Sequence, residues 1–273
     1  MRRIVVCADD YALSPGVSRA IRELASRGRL NAASVMTVIP GFEQECASLL
    51  STPCPIPLAI GLHVTLTGAF APLAALPMAT ADGKFPPLSK LLPPLGYFRI
   101  DRKAVKAEVA AQIAALRKTI GRAPDFVDGH QHVQLFPQVR DGFLTAVKEA
   151  APKAWVRQGG RDQPLARRLG APKALLLDVL SAQFRKRASR ADIAFNPGFD
   201  GAYDFSRQPD FSVLMRQFLD GLPEHSVIMC HPGFVDDILV GLDPLTVQRE
   251  HEHAFLGGED FPRLLAASNV TLD

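Results

Sequence analysis

Five apolar runs in this 273-residue chain are followed at once by Asp, His or Arg. Ile4 to Ala8 leads into Asp9-Asp10, Leu58 to Leu62 into His63, and Phe126-Val127 into Asp128-Gly129-His130-Gln131-His132. Ala154 to Val156 leads into Arg157, and Val227 to Cys230 into His231. One Asp with two His makes a three-ligand set that leaves coordination positions open for water and substrate, as hydrolytic metal sites require. Two adjacent carboxylates can divide the work: one binds metal, and the other stays free as general base. Residue types alone leave open which does which. Arg157 suits the free carboxylate, because a bidentate guanidinium would orient it and keep it ionised. The bland alternative for Arg157 is a surface salt bridge. His231, if protonated, could donate to a leaving group, since imidazole ordinarily titrates near 6.5. A lone His after a strand is commonly structural. Three that end different strands, opposite an Asp pair, are hard to explain as packing.

Such residues meet only if the strands run parallel and end at one rim. Short apolar runs do alternate with amphipathic stretches. Strands are expected at Ile4–Ala8, Ala33–Ile39, Leu58–His63, Phe126–Asp128, Ala154–Arg157, Ile193–Asn196, Ser226–Cys230 and Val270–Leu272. Ser14-Pro15 marks a helix start, and Gly28 ends that helix. Asp101 to Ile120 is the clearest helix, with Val105, Val109, Ile113 and Leu116 on one face and Gly121 as its stop. Further helices are expected at Pro137–Ala150, Pro164–Ala188 with a break at Gly170–Pro172, Phe211–Leu219 and Phe261–Ala267. The β-then-α alternation recurs about eight times, which points to an α/β fold and an irregular, TIM-like (β/α) barrel. An open doubly wound sheet is the runner-up, but no GxGxxG or Walker motif supports nucleotide binding. Residues 1–273 are expected to form a single domain. The Pro- and Gly-rich stretch 64–97 reads as a long insertion over one end, of the kind that makes lids and binding loops.

Composition is ordinary for a globular protein, with 47% hydrophobic and 22% charged residues. A net charge of +3 and the absence of an aromatic-laced basic stripe argue against a nucleic-acid partner. No apolar stretch approaches the roughly 20 residues that cross a bilayer, so no integral membrane segment is expected. Nor does Met1-Arg2-Arg3, with a short apolar run cut off by Asp9 and Asp10, read as a signal peptide. The expectation is a soluble, cytoplasmic protein. Cys7, Cys46, Cys54 and Cys230 form no CxxC pair, which disfavours a metal–sulfur site or disulfide framework.

Four segments resemble the YdjC-like (ChbG/HpnK) carbohydrate deacetylases: Ala8-Asp9-Asp10-Tyr11-Ala12-Leu13-Ser14-Pro15-Gly16-Val17, Gly61-Leu62-His63-Val64-Thr65-Leu66-Thr67, Asp128-Gly129-His130-Gln131-His132-Val133 and Met229-Cys230-His231-Pro232-Gly233-Phe234. Their order and spacing agree, and the similarity covers nearly the whole chain. The resemblance implies hydrolysis of an N-acetyl group from an amino sugar, on an irregular (β/α) barrel that often forms a homodimer. It assigns Asp10, His63 and His130 to a divalent metal, Mg²⁺ first and Zn²⁺ second, and leaves Asp9 as the base. The family often has Phe where this chain has Tyr11, and a further His where it has Gln134.

Other residues invite weaker readings. His132, two positions from His130, would share its direction in a strand-like segment and could line the site. His251 and His253 lie two apart on a charged, helix-like stretch and so on different faces, which suits a solvated helix. Asn196 to Gly201 is a turn-rich loop expected to line the pocket, and Trp155 is expected in the core. A metal phosphoesterase and a non-catalytic sugar-binding protein are the competing functions. The first would commonly use two metals and more ligands, and the second has no use for a spare base.

Overall fold

The computed structural model describes residues 1–74, 80–91, 101–161, 172–207 and 209–272. In chain order the strands are β1 (Arg2–Arg3), β2 (Val5–Tyr11), β3 (Ala32–Val35), β4 (Ala59–Val64), β5 (Phe126–Gly129), β6 (Trp155–Val156), β7 (Phe199–Asp200), β8 (Val227–Cys230) and β9 (Val270–Thr271). The helices are α1 (Pro15–Ser26), α2 (Phe42–Leu50), α3 (Arg102–Ile120), α4 (Pro137–Ala150), α5 (Pro172–Arg190), α6 (Phe211–Leu219), α7 (Asp237–Leu242), α8 (Val247–Gly257) and α9 (Asp260–Ala267).

Seven strands form one parallel sheet in the order β6-β5-β4-β3-β2-β8-β7, and β1 pairs with β9 in a separate ribbon. Sequence neighbours are therefore spatial neighbours, and the last strand of the sheet returns to pair with the first, β8 to β2. That is the circular order of a (β/α) barrel. The seam lies between β6 and β7. There a lone parallel bridge joins Val156 to Phe195, and Val156 N–H donates to the Ala194 carbonyl at 2.8 Å. The irregular TIM-like barrel read from the sequence is present.

Alternation along β2 explains the strand pattern. Val6 and Ala8 belong to the large core, which also holds Val105, Val109, Ile113 and Leu116 of α3. Cys7 joins a smaller cluster with Ala32, Phe126, Phe199, Val227 and Met229. Both faces of the strand are buried, so it reads as a continuous apolar run. Gly61 on β4 serves the second cluster, since a Cβ there would lie 2.2 Å from the Phe126 ring. The helices begin where the sequence marks them. Ser14 Oγ accepts from Val17 N–H at 3.3 Å ahead of Pro15, and Asp101 Oδ1 accepts from Lys103 N–H at 2.9 Å. α3 stops at Gly121, whose φ of 73° is left-handed.

Some expectations shift. β3 ends at Val35 rather than Ile39. Ile193–Asn196 contributes only the Phe195 bridge, and the strand itself lies at Phe199–Asp200. α2 was not expected, although Phe42, Cys46 and Leu49 sit on its buried face at helical spacing. Of the expected helix Pro164–Ala188, α5 carries the part from Pro172, and 162–171 lie outside the described residues. In the long insertion, residues 64–74 and 80–91 are described. Glu108 of α3 anchors the first part, accepting from Leu73 N–H at 3.0 Å and Ala74 N–H at 2.7 Å. Among the described residues no helix is long and apolar enough to cross a membrane.

Candidate active site

The carboxyl ends of β2, β4, β5 and β6 bring Asp9, Asp10, His63, His130 and Arg157 together. In a regular strand Asp9 and Asp10 would point to opposite faces. Here Asp10 has a left-handed φ of 63°, and the register against β3 slips between Ala8 and Tyr11. The irregularity turns both carboxylates into one site, a use to which strand bulges are often put. Asp tolerates this conformation better than most residues.

Arg157, 0% exposed, forks Asp9: Nη1 donates to Oδ1 and Nη2 to Oδ2, each at 2.6 Å. Nη1 also lies 3.1 Å from Asp128 Oδ2. The surface salt-bridge alternative is thereby removed. Burial pushes the Asp9 carboxyl up, but Arg157 and then His63 outweigh it and hold it at about 2. Asp9 is an ionised carboxylate across the working pH range.

Asp10 Oδ1 lies 3.2 Å from His63 Nε2 and 3.0 Å from His130 Nδ1. The ligand atoms of these three residues fall within 4.8 Å of one another. His63 Nδ1 faces Asp128 Oδ1 at 2.7 Å, and that oxygen also accepts from Ser34 Oγ at 2.6 Å. With its proton on Nδ1, His63 presents the Nε2 lone pair to the site, the arrangement that orients a metal-binding imidazole. Burial pushes His63 down, yet the carboxylates of Asp9 and Asp128 raise it to about 10. Asp9, Asp10 and Asp128 thus load a proton onto the buried histidine between them. A bound cation satisfies the same field, so the residues present fit a divalent metal.

The β8 end differs. His231 donates its backbone N–H to Glu252 Oε2 at 2.5 Å, while its ring meets Phe205 edge-on, centroids 5.4 Å apart. Its Nδ1 is buried with no hydrogen-bond partner among the described residues. Burial pushes His231 down to about 4, with Asp10 and Asp9 only partly opposing. Those surroundings favour the neutral imidazole near pH 7, with a pKa below the ordinary value near 6.5.

A family model for YdjC-like protein matches residues 3–267. The chain belongs to the YdjC-like family. A protein of Enterococcus faecalis V583, provisionally named a cellobiose-phosphate cleavage protein, is 20% identical in sequence; the match covers 100% of this chain and 97% of that one, with a TM-score of 0.77. An uncharacterized protein of Agrobacterium tumefaciens C58 is 9% identical over 99% of this chain and 86% of its own, with a TM-score of 0.50. Identities this low bear on the fold alone.

Not every residue of the family motifs enters the donor set. His132 does not, because Gln131 and His132 adopt left-handed φ values of 55° and 58° in a helical turn, not the strand-like backbone expected. Its ring packs edge-on against Phe199 at 5.6 Å, and burial, then Arg157, push it down to about 3. His253 lies against Glu23 at 3.6 Å and the Phe234 ring, and His251 is exposed. Trp155, expected in the core, is half-buried: it stacks on Phe126 at 4.7 Å and packs against the smaller cluster from outside. Asn196 fastens its loop to Gln158, its Oδ1 accepting from Gln158 N–H at 2.8 Å.

Sequence reasoning missed three participants. The motif that holds Asp128 assigns it no separate role. Arg249 and Glu252 flank His251 on the charged stretch that reads as a solvated helix, yet both are 0% exposed. Their i, i+3 spacing was the available signal, since it places them on one face of α8.

Proposed function

We propose that this chain, acting as one domain, is a metal-dependent hydrolase that removes N-acetyl groups from an amino sugar, oligosaccharide or glycolipid head group. The observation that carries the reading is the pairing of two separately held carboxylates. Asp9 is ionised and forked by Arg157, while Asp10 faces His63 and His130. A binding protein gains nothing from the first, and a metal-free hydrolase gains nothing from the second. The amino-sugar specificity rests on the family resemblance.

Asp10, His63 and His130 would hold the ion. A divalent metal there would polarise the amide carbonyl and acidify a neighbouring water. Two imidazoles suit a borderline ion such as Zn²⁺, whereas Mg²⁺ prefers oxygen donors, so the expectation of Mg²⁺ from the resemblance is open to direct test. Asp9 accepts a proton from the attacking water. Held at about 2, it is a weak base and works only on a water that is already acidified. Arg157 keeps Asp9 aligned and charged throughout. The C–N bond then breaks, and the departing nitrogen takes up a proton. His231, neutral at rest, is the candidate to relay to it the proton that Asp9 took from the water, since an imidazole held near 4 gives up a proton readily once it has one.

The test is acetate release from N-acetylglucosamine oligomers by chelated and metal-restored protein, beside turnover of p-nitrophenyl phosphate. Acetate release that returns with Zn²⁺ or Mg²⁺ supports the reading. Phosphate release without acetate would move the protein to the phosphoesterases, and turnover of neither by the metal-restored protein would leave a sugar-binding role.

A further inference from the structure

Arg249 is a wholly buried cation that the hydrolytic roles above leave unused. It comes from α8, 239 positions along the chain from Asp10, and its Nη2 donates to Asp10 Oδ2 at 2.6 Å. The same nitrogen donates to Asp243 Oδ2 at 2.8 Å, and Nε donates to the Leu245 carbonyl at 2.9 Å. The two oxygens of Asp10 are therefore sorted. Oδ2 is taken by the guanidinium, and Oδ1 faces His63 and His130.

We propose that Arg249 is a positioning residue that confines Asp10 to a single metal-facing oxygen, an inference that rests on the metal-centre reading above. A carboxylate with both oxygens free can turn and chelate an ion through both. That would fill a position which water or substrate must occupy for hydrolysis. The charge-assisted bond to Arg249 opposes the turn, and burial strengthens it. The guanidinium is itself fixed at Leu245 and Asp243, so it cannot follow Asp10 inward. A lysine would place one compact charge there and could not hold the same set of partners.

The experiment compares wild type with Arg249→Met, each loaded with Co²⁺, by visible absorption and by calorimetric titration of the metal. Cobalt absorbs more weakly as its coordination number rises. The variant is expected to show weaker absorption, a metal affinity changed by about 10–100-fold, and a kcat reduced more than KM. Arg249→Lys is expected to fall between the two, and it carries the comparison alone if Arg249→Met does not fold. A purely structural Arg249 would lower thermal stability equally with and without metal and leave the spectrum unchanged, and that result overturns the inference. If wild type takes up no Co²⁺, or His63→Ala binds it as well as wild type does, the metal-centre reading falls and this inference falls with it. Normal uptake by wild type with an unchanged spectrum in the variant overturns this inference alone.

Discussion

His63 and His231 both stand at carboxyl ends of parallel strands, and burial pushes both imidazoles down, yet they finish far apart. His63 is raised to about 10 and His231 is lowered to about 4. The strand brings each ring to the rim, but the neighbouring elements decide its charge. At the β4 end, Asp128 of β5 is the register partner of His63, so the pairing of two strands places a carboxylate at the ring nitrogen. At the β8 end, the nearby carboxylate comes from a helix. Glu252 of α8 meets the backbone of His231 and not its ring. Identical residue types at equivalent places in the fold thus become an imidazole held between the carboxylates of Asp10 and Asp128 and an imidazole with a partly apolar wall.

The sharpest way to break this comparison is to remove each ring in turn. His63→Ala should lose the metal and, with it, activity down to background, because a three-ligand site has no replacement. His231→Ala should keep the metal and lose turnover on N-acetyl sugars more than on an aryl acetate, whose leaving group needs no proton. Metal content after dialysis and paired rates on the two substrates measure this. If both variants lose the metal alike, the two ends are not distinct.

Next in size is the division between the aspartates. Asp9→Asn should lower kcat by about 10²–10⁴-fold while retaining metal, since the base is removed and Asp10 is untouched. An active, metal-loaded Asp9→Asn enzyme would show that the base is another group. A smaller effect is expected at Asp128. Asp128→Asn leaves the fold's ligand set intact but weakens the partner of His63 Nδ1, so metal affinity should fall about 10–100-fold by calorimetry. Unchanged affinity would mean that the register partner does not tune His63.

How much of this was legible in the sequence follows the same division. Residues that follow a buried strand carry their own signal, because an apolar run ending in Asp or His is visible without a structure. Asp9, Asp10, His63, His130, Arg157 and His231 were all legible in that way, as was the barrel order implied by alternating strands and helices. Backbone irregularity was not. Nothing in Asp9-Asp10 announces a left-handed residue that turns both side chains inward, and nothing in Gln131-His132 announces the turn that carries His132 away. Buried charge on helices was equally hidden. Arg and Glu are rarely buried without partners, and although Asp243 and Leu245 lie close to Arg249 in sequence, the partners that tie this helix to the site, Asp10 for Arg249 and Tyr203 and His231 for Glu252, lie far from it. The pKa of His231 was unreadable for a related reason, since it depends on walls such as Phe205 that no local pattern assigns to it.

The smallest effect on turnover is expected at Glu252, where the consequence is instead one of stability against pH. Glu252 accepts from the Tyr203 hydroxyl at 2.6 Å and from His231 N–H at 2.5 Å, and burial raises its carboxyl to about 7 although both bonds oppose the shift. An unfolded glutamate titrates near 4.5. Between about 4.5 and 7 the folded protein therefore holds a proton that the unfolded chain has released, and stability falls as pH rises through that window. Full expression of the shift would amount to roughly 3 kcal/mol, with relaxation around the site reducing it. Glu252→Gln removes the titration and keeps one acceptor for the two donors. The variant should unfold with a flatter dependence on pH between 5 and 8, and kcat should change only a few-fold, because Glu252 touches the backbone of His231 and not its ring. Chemical denaturation of wild type and variant across that range reads the difference. Parallel curves would show that Glu252 is already ionised in the folded protein, and that the β8 end is more polar than the resting state of His231 implies.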